Sequence, residues 1–184
     1  SIIHFRHYSQ EYRVWQGSDF DLHGALQQAM AEQANLSLVD ILNQLAPLKP
    51  VVARRATIKT GTLRCFVPRF TARDRWPPKA QTGGELRLWF YLAEEQEEPR
   101  PQWVANQGVV AFCHFTERLR EAVSAWMALQ ELPKRYATLH HDPVAQREHR
   151  AWLSNAEAET TQLIHTLLEE PESLRWFWGG EERP

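Results

Sequence analysis

The sequence predicts an α/β (or α+β) fold with an N-terminal helix pair, a central sheet of about four strands and a C-terminal helical pair. Three observations carry this expectation. Apolar residues recur at helical spacing before residue 46 and after residue 115, β-branched and aromatic runs fill the middle, and strand and helix patterns alternate between residues 85 and 132. With 43% hydrophobic and 11% aromatic content, a chain of 184 residues can bury one good core or two small ones. The expected segments are 1–46, helical and winged-helix-like; 47–132, an α/β core with a basic hairpin; and 133–184, helical.

The opening HFRHY and YRVW read as a short strand or helix turn. Ser18, Asp19 and Asp21 are N-cap candidates for FDLHGALQQAMAEQ, a helix with Leu22, Leu26, Ala29 and Met30 on one stripe. Ser37 and Asp40 form a capping-box-like S-x-x-D before Ile41, Leu42 and Leu45, and Pro47 stops this second helix. From Val51 the pattern becomes β, with VVARRATI and TLRCFVPRF as the strands of a hairpin turning at Lys59-Thr60-Gly61. TARDRWPPKAQTGG is a loop punctuated by Pro77-Pro78 and Gly83-Gly84, ELRLWFYLA a strand, and EEQEEPRPQ an acidic loop or the rim of a short helix. Gly108 opens VVAFCHF, an unbroken apolar run that predicts an interior parallel strand buried on both faces. Thr116 is the expected cap of ERLREAVSAWMALQEL, which Pro133 ends or kinks. Asp142-Pro143 then opens a long helix through Glu170, which Pro171 closes before a strand or turn at RWFWGG.

The net charge of −2 conceals an asymmetry. Residues 1–46 carry a net −3, residues 47–80 a net +8 and residues 81–184 a net −7, so a basic island lies in an acidic chain. No apolar run is long enough to cross a bilayer, and no secretory leader pattern is present. Cys65 and Cys113 both lie in apolar strand-like runs that favour reduced thiols, and a cytoplasmic setting is expected. Apolar clusters close to Ser1 and at RWFWGG predict that the chain is one piece of a larger protein, with Trp176 and Trp178 at the interface to the remainder. Trp126 and Trp152, at helical spacing, read as core.

The basic island supplies the candidate binding residues: Arg54, Arg55, Lys59, Arg64, Arg69, Arg73, Arg75 and Lys79. A basic hairpin after a helix pair has the order of a winged helix, whose wing adds phosphate contacts. The helix that would read bases, SLVDILNQLA, carries no Arg or Lys and offers only Asn43 and Gln44. The same cations could serve an acidic protein surface, line a solvated face or pair with the acidic remainder of the chain.

No catalytic residues, metal site or cofactor are expected. His140, His141 and His149 lack H-E-x-x-H spacing, C-x-x-C is absent, and neither a G-x-S-x-G elbow nor a phosphate-binding glycine loop occurs. Asp74 followed by Glu85-Leu86-Arg87 resembles the metal-binding acids of a restriction-type nuclease, with Arg where that chemistry uses Lys.

Three segments, YRVWQGSDFDLHGAL, TGTLRCF, and DPVAQREHRAWLSNAEAETTQLIHTLLEE with the later RWFWGG, carry a wider resemblance. Together they resemble the region downstream of the nucleotide-binding core in large P-loop ATPases of bacterial anti-phage and restriction-like loci, those of BREX type included. The resemblance covers most of the chain. It implies a non-catalytic module that couples an ATPase core to DNA or to another protein of a defence complex, with the phosphate-binding loop elsewhere, and it assigns no role to any residue here.

Overall fold

The structure, a computed structural model, describes residues 2–6, 11–15, 18, 20–33, 35–76, 86–99 and 108–183. It is a mixed α/β chain of two compact units: Ser1–Asn35 with Glu121–Thr160, and Leu36–Arg120 with Thr161–Pro184. Each of the three segments expected from sequence contributes to both units.

In the first unit, β1 (Ile2–Arg6) and β2 (Glu11–Trp15) form an antiparallel pair with Ile2 opposite Trp15. The core comes from α1 (Leu22–Gln33) and from parts of two long helices, α4 (Thr116–Arg135) and α5 (Pro143–Glu169). Leu22, Ala25 and Ala29 of α1 join Ala128, Leu129 and Leu132 of α4, with Leu139, Ala145 and Ala156 completing the cluster. The small alanines let the helices approach closely, while each buried leucine contributes about 2 kcal/mol. Trp126 and Trp152 pack against this core, as their spacing predicts.

Local capping explains where these helices begin. Asp21 Oδ1 accepts from Gly24 N at 2.9 Å, so Asp21 caps α1; Asp19 lies outside the described residues. Asp142 Oδ1 accepts from Val144 N and Ala145 N at 2.9 and 3.0 Å, and Pro143 stands at the first helical position, as the Asp-Pro pair predicts. The Ser18 hydroxyl donates to Asp142 Oδ2 at 2.7 Å, and these bonds hold the Asp142 carboxyl below its ordinary range.

The second unit is built on a six-stranded mixed sheet in the order β3 (Val51–Val52), β4 (Cys65–Ala72), β5 (Leu86–Leu92), β6 (Val109–Cys113), β7 (Arg175–Trp178), β8 (Glu181–Arg183). The strands β4, β5 and β6 are parallel, and the other pairings are antiparallel. Val110 through Cys113 are all buried, the two-face burial that their unbroken apolar run predicts. On one face Trp89, Tyr91, Val110, Phe112 and Phe177 pack with Trp76, and Tyr91 stacks on Phe112 at 5.3 Å. Gly108 makes the entry to β6 possible. Its φ is +87°, and a Cβ there would stand 2.6 Å from the carbonyl oxygen of Arg87.

Three expectations need correction. The sheet has six strands rather than about four, because Gly179 and Gly180, both at positive φ, turn RWFW back into the added hairpin β7–β8. The predicted hairpin strand VVARRATI stops after two residues and becomes α3 (Arg54–Thr60). Beyond Val52 it holds Ala, Arg and Lys, which are good helix formers, and the Thr60 hydroxyl donates to Ala56 O at 2.8 Å. Gly61, expected as a hairpin turn, ends this helix in the left-handed conformation at φ +65°. Finally, Thr116 does not cap α4: the first helical bond runs from Leu119 N to Phe115 O, and the buried Thr116 hydroxyl donates to Cys113 O at 3.2 Å.

The short α2 (Leu38–Leu45) begins as its S-x-x-D predicts, with Ser37 Oγ accepting from Asp40 N at 3.4 Å. The Asp40 carboxylate, however, binds Arg75. Among the described residues, no helix is long and apolar enough to cross a membrane.

Candidate docking surface

The basic island divides in two. Arg75, on a 3-10 turn after β4, grips both oxygens of Asp40 at 2.8 and 2.7 Å, reaches Ser37 Oγ at 3.0 Å and has Asp74 at 3.5 Å. This fork-to-carboxylate geometry holds Asp40 below the usual carboxylate range and raises the guanidinium, the hydrogen bond between them being the main cause of both. Arg73 pairs with Glu94 at 3.3 Å. Both arginines therefore tie loops together. Lys79 lies outside the described residues.

Arg54, Arg55 and Lys59 on α3, Arg64 ahead of β4 and Arg69 within it are exposed. Their charged groups have no ion pair or hydrogen bond among the described residues. Sequence reasoning missed what stands between them. Ile58 is 84% exposed and Leu63 69%, while Val51 and Val52 on the adjoining edge strand are also exposed. An isoleucine four residues after an arginine, on a helix with no other large apolar residue, was the available signal. Arg64 is fixed at this cap through its backbone, its N–H donating to Thr57 Oγ1 at 3.1 Å and its carbonyl accepting from Ala53 N at 2.8 Å.

Open α/β sheets commonly take ligands beyond the carboxyl ends of their parallel strands. Here Ala72, Leu92 and Cys113 are level at that edge, and the acidic segment EEQEEP is tethered across it. Glu94 pairs with Arg73; Glu97 accepts from the Tyr91 hydroxyl at 2.6 Å and from Glu94 N at 3.0 Å; Glu98 holds Arg175 at 2.7 Å. Burial, with Glu97 beside it, pushes the Tyr91 phenol upward. Arg175 is further fixed by Glu182 at 2.9 and 3.0 Å. Of the free cations, Arg54, Arg55, Lys59 and Arg64 sit at the opposite edge, where β4 begins, and Arg69 lies within the strand.

Of the nuclease-like residues, Asp74 and Arg87 are not brought together. Asp74 follows the carboxyl end of β4, whereas Arg87 is paired with Val67 near its start; the five strand steps from Val67 to Ala72 alone separate those levels by about 17 Å. Glu85 lies outside the described residues. Two of the three histidines serve the fold: His149 is buried with Nε2 2.8 Å from Leu129 O, and His140 Nε2 lies 2.9 Å from Pro133 O. Among the described residues, no three His, Cys, Asp or Glu side chains gather as metal ligands would. Cys65 is half-buried, while burial pushes the Cys113 thiol up to about 11.

The two tryptophans expected at an interface differ. Trp178 is 60% exposed, but Trp176 donates its indole N–H to Pro171 O at 2.7 Å. Comparison with family models, curated proteins and solved structures finds no match to this chain.

Proposed function

We propose that this chain is a non-catalytic interaction module of a larger bacterial ATPase of phage defence, the role its resemblance implies, and that the cap of β3, α3 and Arg64 docks an acidic protein surface. One observation supports this above the rest: Ile58 and Leu63 protrude into solvent among Arg54, Arg55, Lys59 and Arg64, none of which is paired among the described residues. Phosphate contacts need no aliphatic anchors, whereas a protein interface places apolar anchors inside a charged rim. Burying either side chain is worth about 1.5 to 3 kcal/mol.

A second reading has its own support. Four unpaired cations where β4 begins, with Arg69 exposed within the strand, would equally serve nucleic-acid phosphates, with affinity falling steeply in salt.

Fluorescence anisotropy with two probes separates these readings. A fluorescein-labelled peptide alternating Glu and Leu should bind, and Ile58→Asp/Leu63→Asp should weaken it roughly tenfold or more. Binding of a DNA duplex that is lost in Arg54→Ala/Arg55→Ala but untouched in the aspartate variant would replace the protein reading with the nucleic-acid one. Binding of ATP by the isolated chain would count against a non-catalytic module.

A further inference from the structure

We infer that copies of this chain associate head to tail, the cationic cap of one docking on the acidic carboxyl edge of the next. This rests on the docking reading above and names the partner as a second copy. The strand register supplies the argument. Arg64 directly precedes β4 and α3 joins it at the same end, whereas Asp74, Glu94, Glu95 and Glu98 follow the other ends of β4 and β5.

The two edges are not equally satisfied. Every basic residue named at the acidic edge, Arg73, Arg75 and Arg175, is held by carboxylates. Glu95 and Glu172 there have no partner among the described residues. At the cap the imbalance is reversed, since its cations are free. Among the residues named, charge is therefore positive where β4 begins and negative beyond the ends of β4 and β5.

That polarity selects the mode of association. A twofold pairing of caps would set cation against cation, which like-charge repulsion disfavours. Translation along the strands instead brings unlike ends together, a heterologous contact that does not close on itself. Leu36, exposed next to the Ser37 that Arg75 holds, gives the acidic edge an apolar counterpart for Ile58 and Leu63.

Sedimentation velocity of the whole chain tests this. At low salt the mean sedimentation coefficient should rise with concentration past the value of a dimer, and high salt should weaken association roughly tenfold or more. Arg55→Glu/Lys59→Glu and Glu95→Lys/Glu172→Lys, all at exposed positions, should each be monomeric alone. An equimolar mixture should associate again, because each variant retains one working end and the two reversed ends carry opposite charge. A wild-type chain that stays monomeric at low salt, or closes at a dimer, overturns the inference; so does association that ignores both charge reversals. A monomeric chain that still binds the Glu-Leu peptide removes head-to-tail association alone, and loss of both removes the docking reading too.

Discussion

His149 donates its Nε2 proton to the carbonyl oxygen of Leu129, 2.8 Å away, and Pro133 is the reason that oxygen is free to accept it. In an uninterrupted helix the acceptor at 129 would receive the N–H of residue 133, which proline lacks. A carbonyl can only accept, so the geometry fixes the tautomer with the proton on Nε2. His140 Nε2 likewise donates to Pro133 O at 2.9 Å, so two histidines supply donors where α4 ends. A proline in the last turn of α4 and two scattered histidines are, in this fold, parts of one arrangement.

His149→Leu should strand the Leu129 carbonyl in a buried setting and lower stability by about 1 to 3 kcal/mol. Introduced together with Pro133→Ala, which returns the helical donor, the same substitution should cost distinctly less. Urea midpoints of the two single variants and the double variant decide it. Strict additivity would break the link between the two residues.

Backbone geometry predicts opposite signs at two further positions. Gln96 has φ of +62° in a turn closed by Glu97 N to Glu94 O at 3.1 Å, a conformation that glycine adopts without strain. Gln96→Gly should therefore raise stability by about 0.5 kcal/mol despite its entropic cost in the unfolded chain. Gly108→Ala should lower it by about 2 kcal/mol or more, since the added Cβ meets the Arg87 carbonyl at 2.6 Å. Thermal or urea melts that give both changes the same sign would contradict this account.

Much of the helical architecture was legible in sequence because its signals are local. Ser37, Asp142-Pro143 and Pro171 mark helix ends through their own backbone chemistry, and VVAFC announces two-face burial by composition. Strand count and site were less legible. Whether RRATIKT is strand or helix depends on a weak balance of propensities, and the sequence cannot show that β7–β8 finds the far edge of β6. The eight basic positions were visible as an island, yet their division into paired and free depends on Asp40 and Glu94. Those partners are 35 and 21 residues from Arg75 and Arg73. The exposure of Ile58 and Leu63 was hidden for a simpler reason: apolar residues are ordinarily read as core.

Because Ile58 and Leu63 protrude, replacing both with aspartate should leave folding stability within about 0.5 kcal/mol of the parent, as at surface positions generally. Solubility at high concentration should improve. A large fall in the urea midpoint would show that these side chains support the fold, which would remove them as docking anchors.

The Cys113 thiol provides a pH prediction with a definite sign. Burial raises its folded value to about 11, above the ordinary value of 9.0. Below pH 9 the thiol is protonated both folded and unfolded, so stability is unaffected by it. Between about 9 and 11 the unfolded chain loses the proton while the folded chain keeps it, and stability falls as pH rises, by up to about 3 kcal/mol. Cys113→Ala should flatten that alkaline decline relative to the parent after correction for the shared lysine and tyrosine background. In the native protein at pH 8, iodoacetamide should modify the half-buried Cys65 and spare Cys113, which mass spectrometry of tryptic peptides can read directly. Equal labelling of the two would mean that the β6 core opens far more readily than its burial implies.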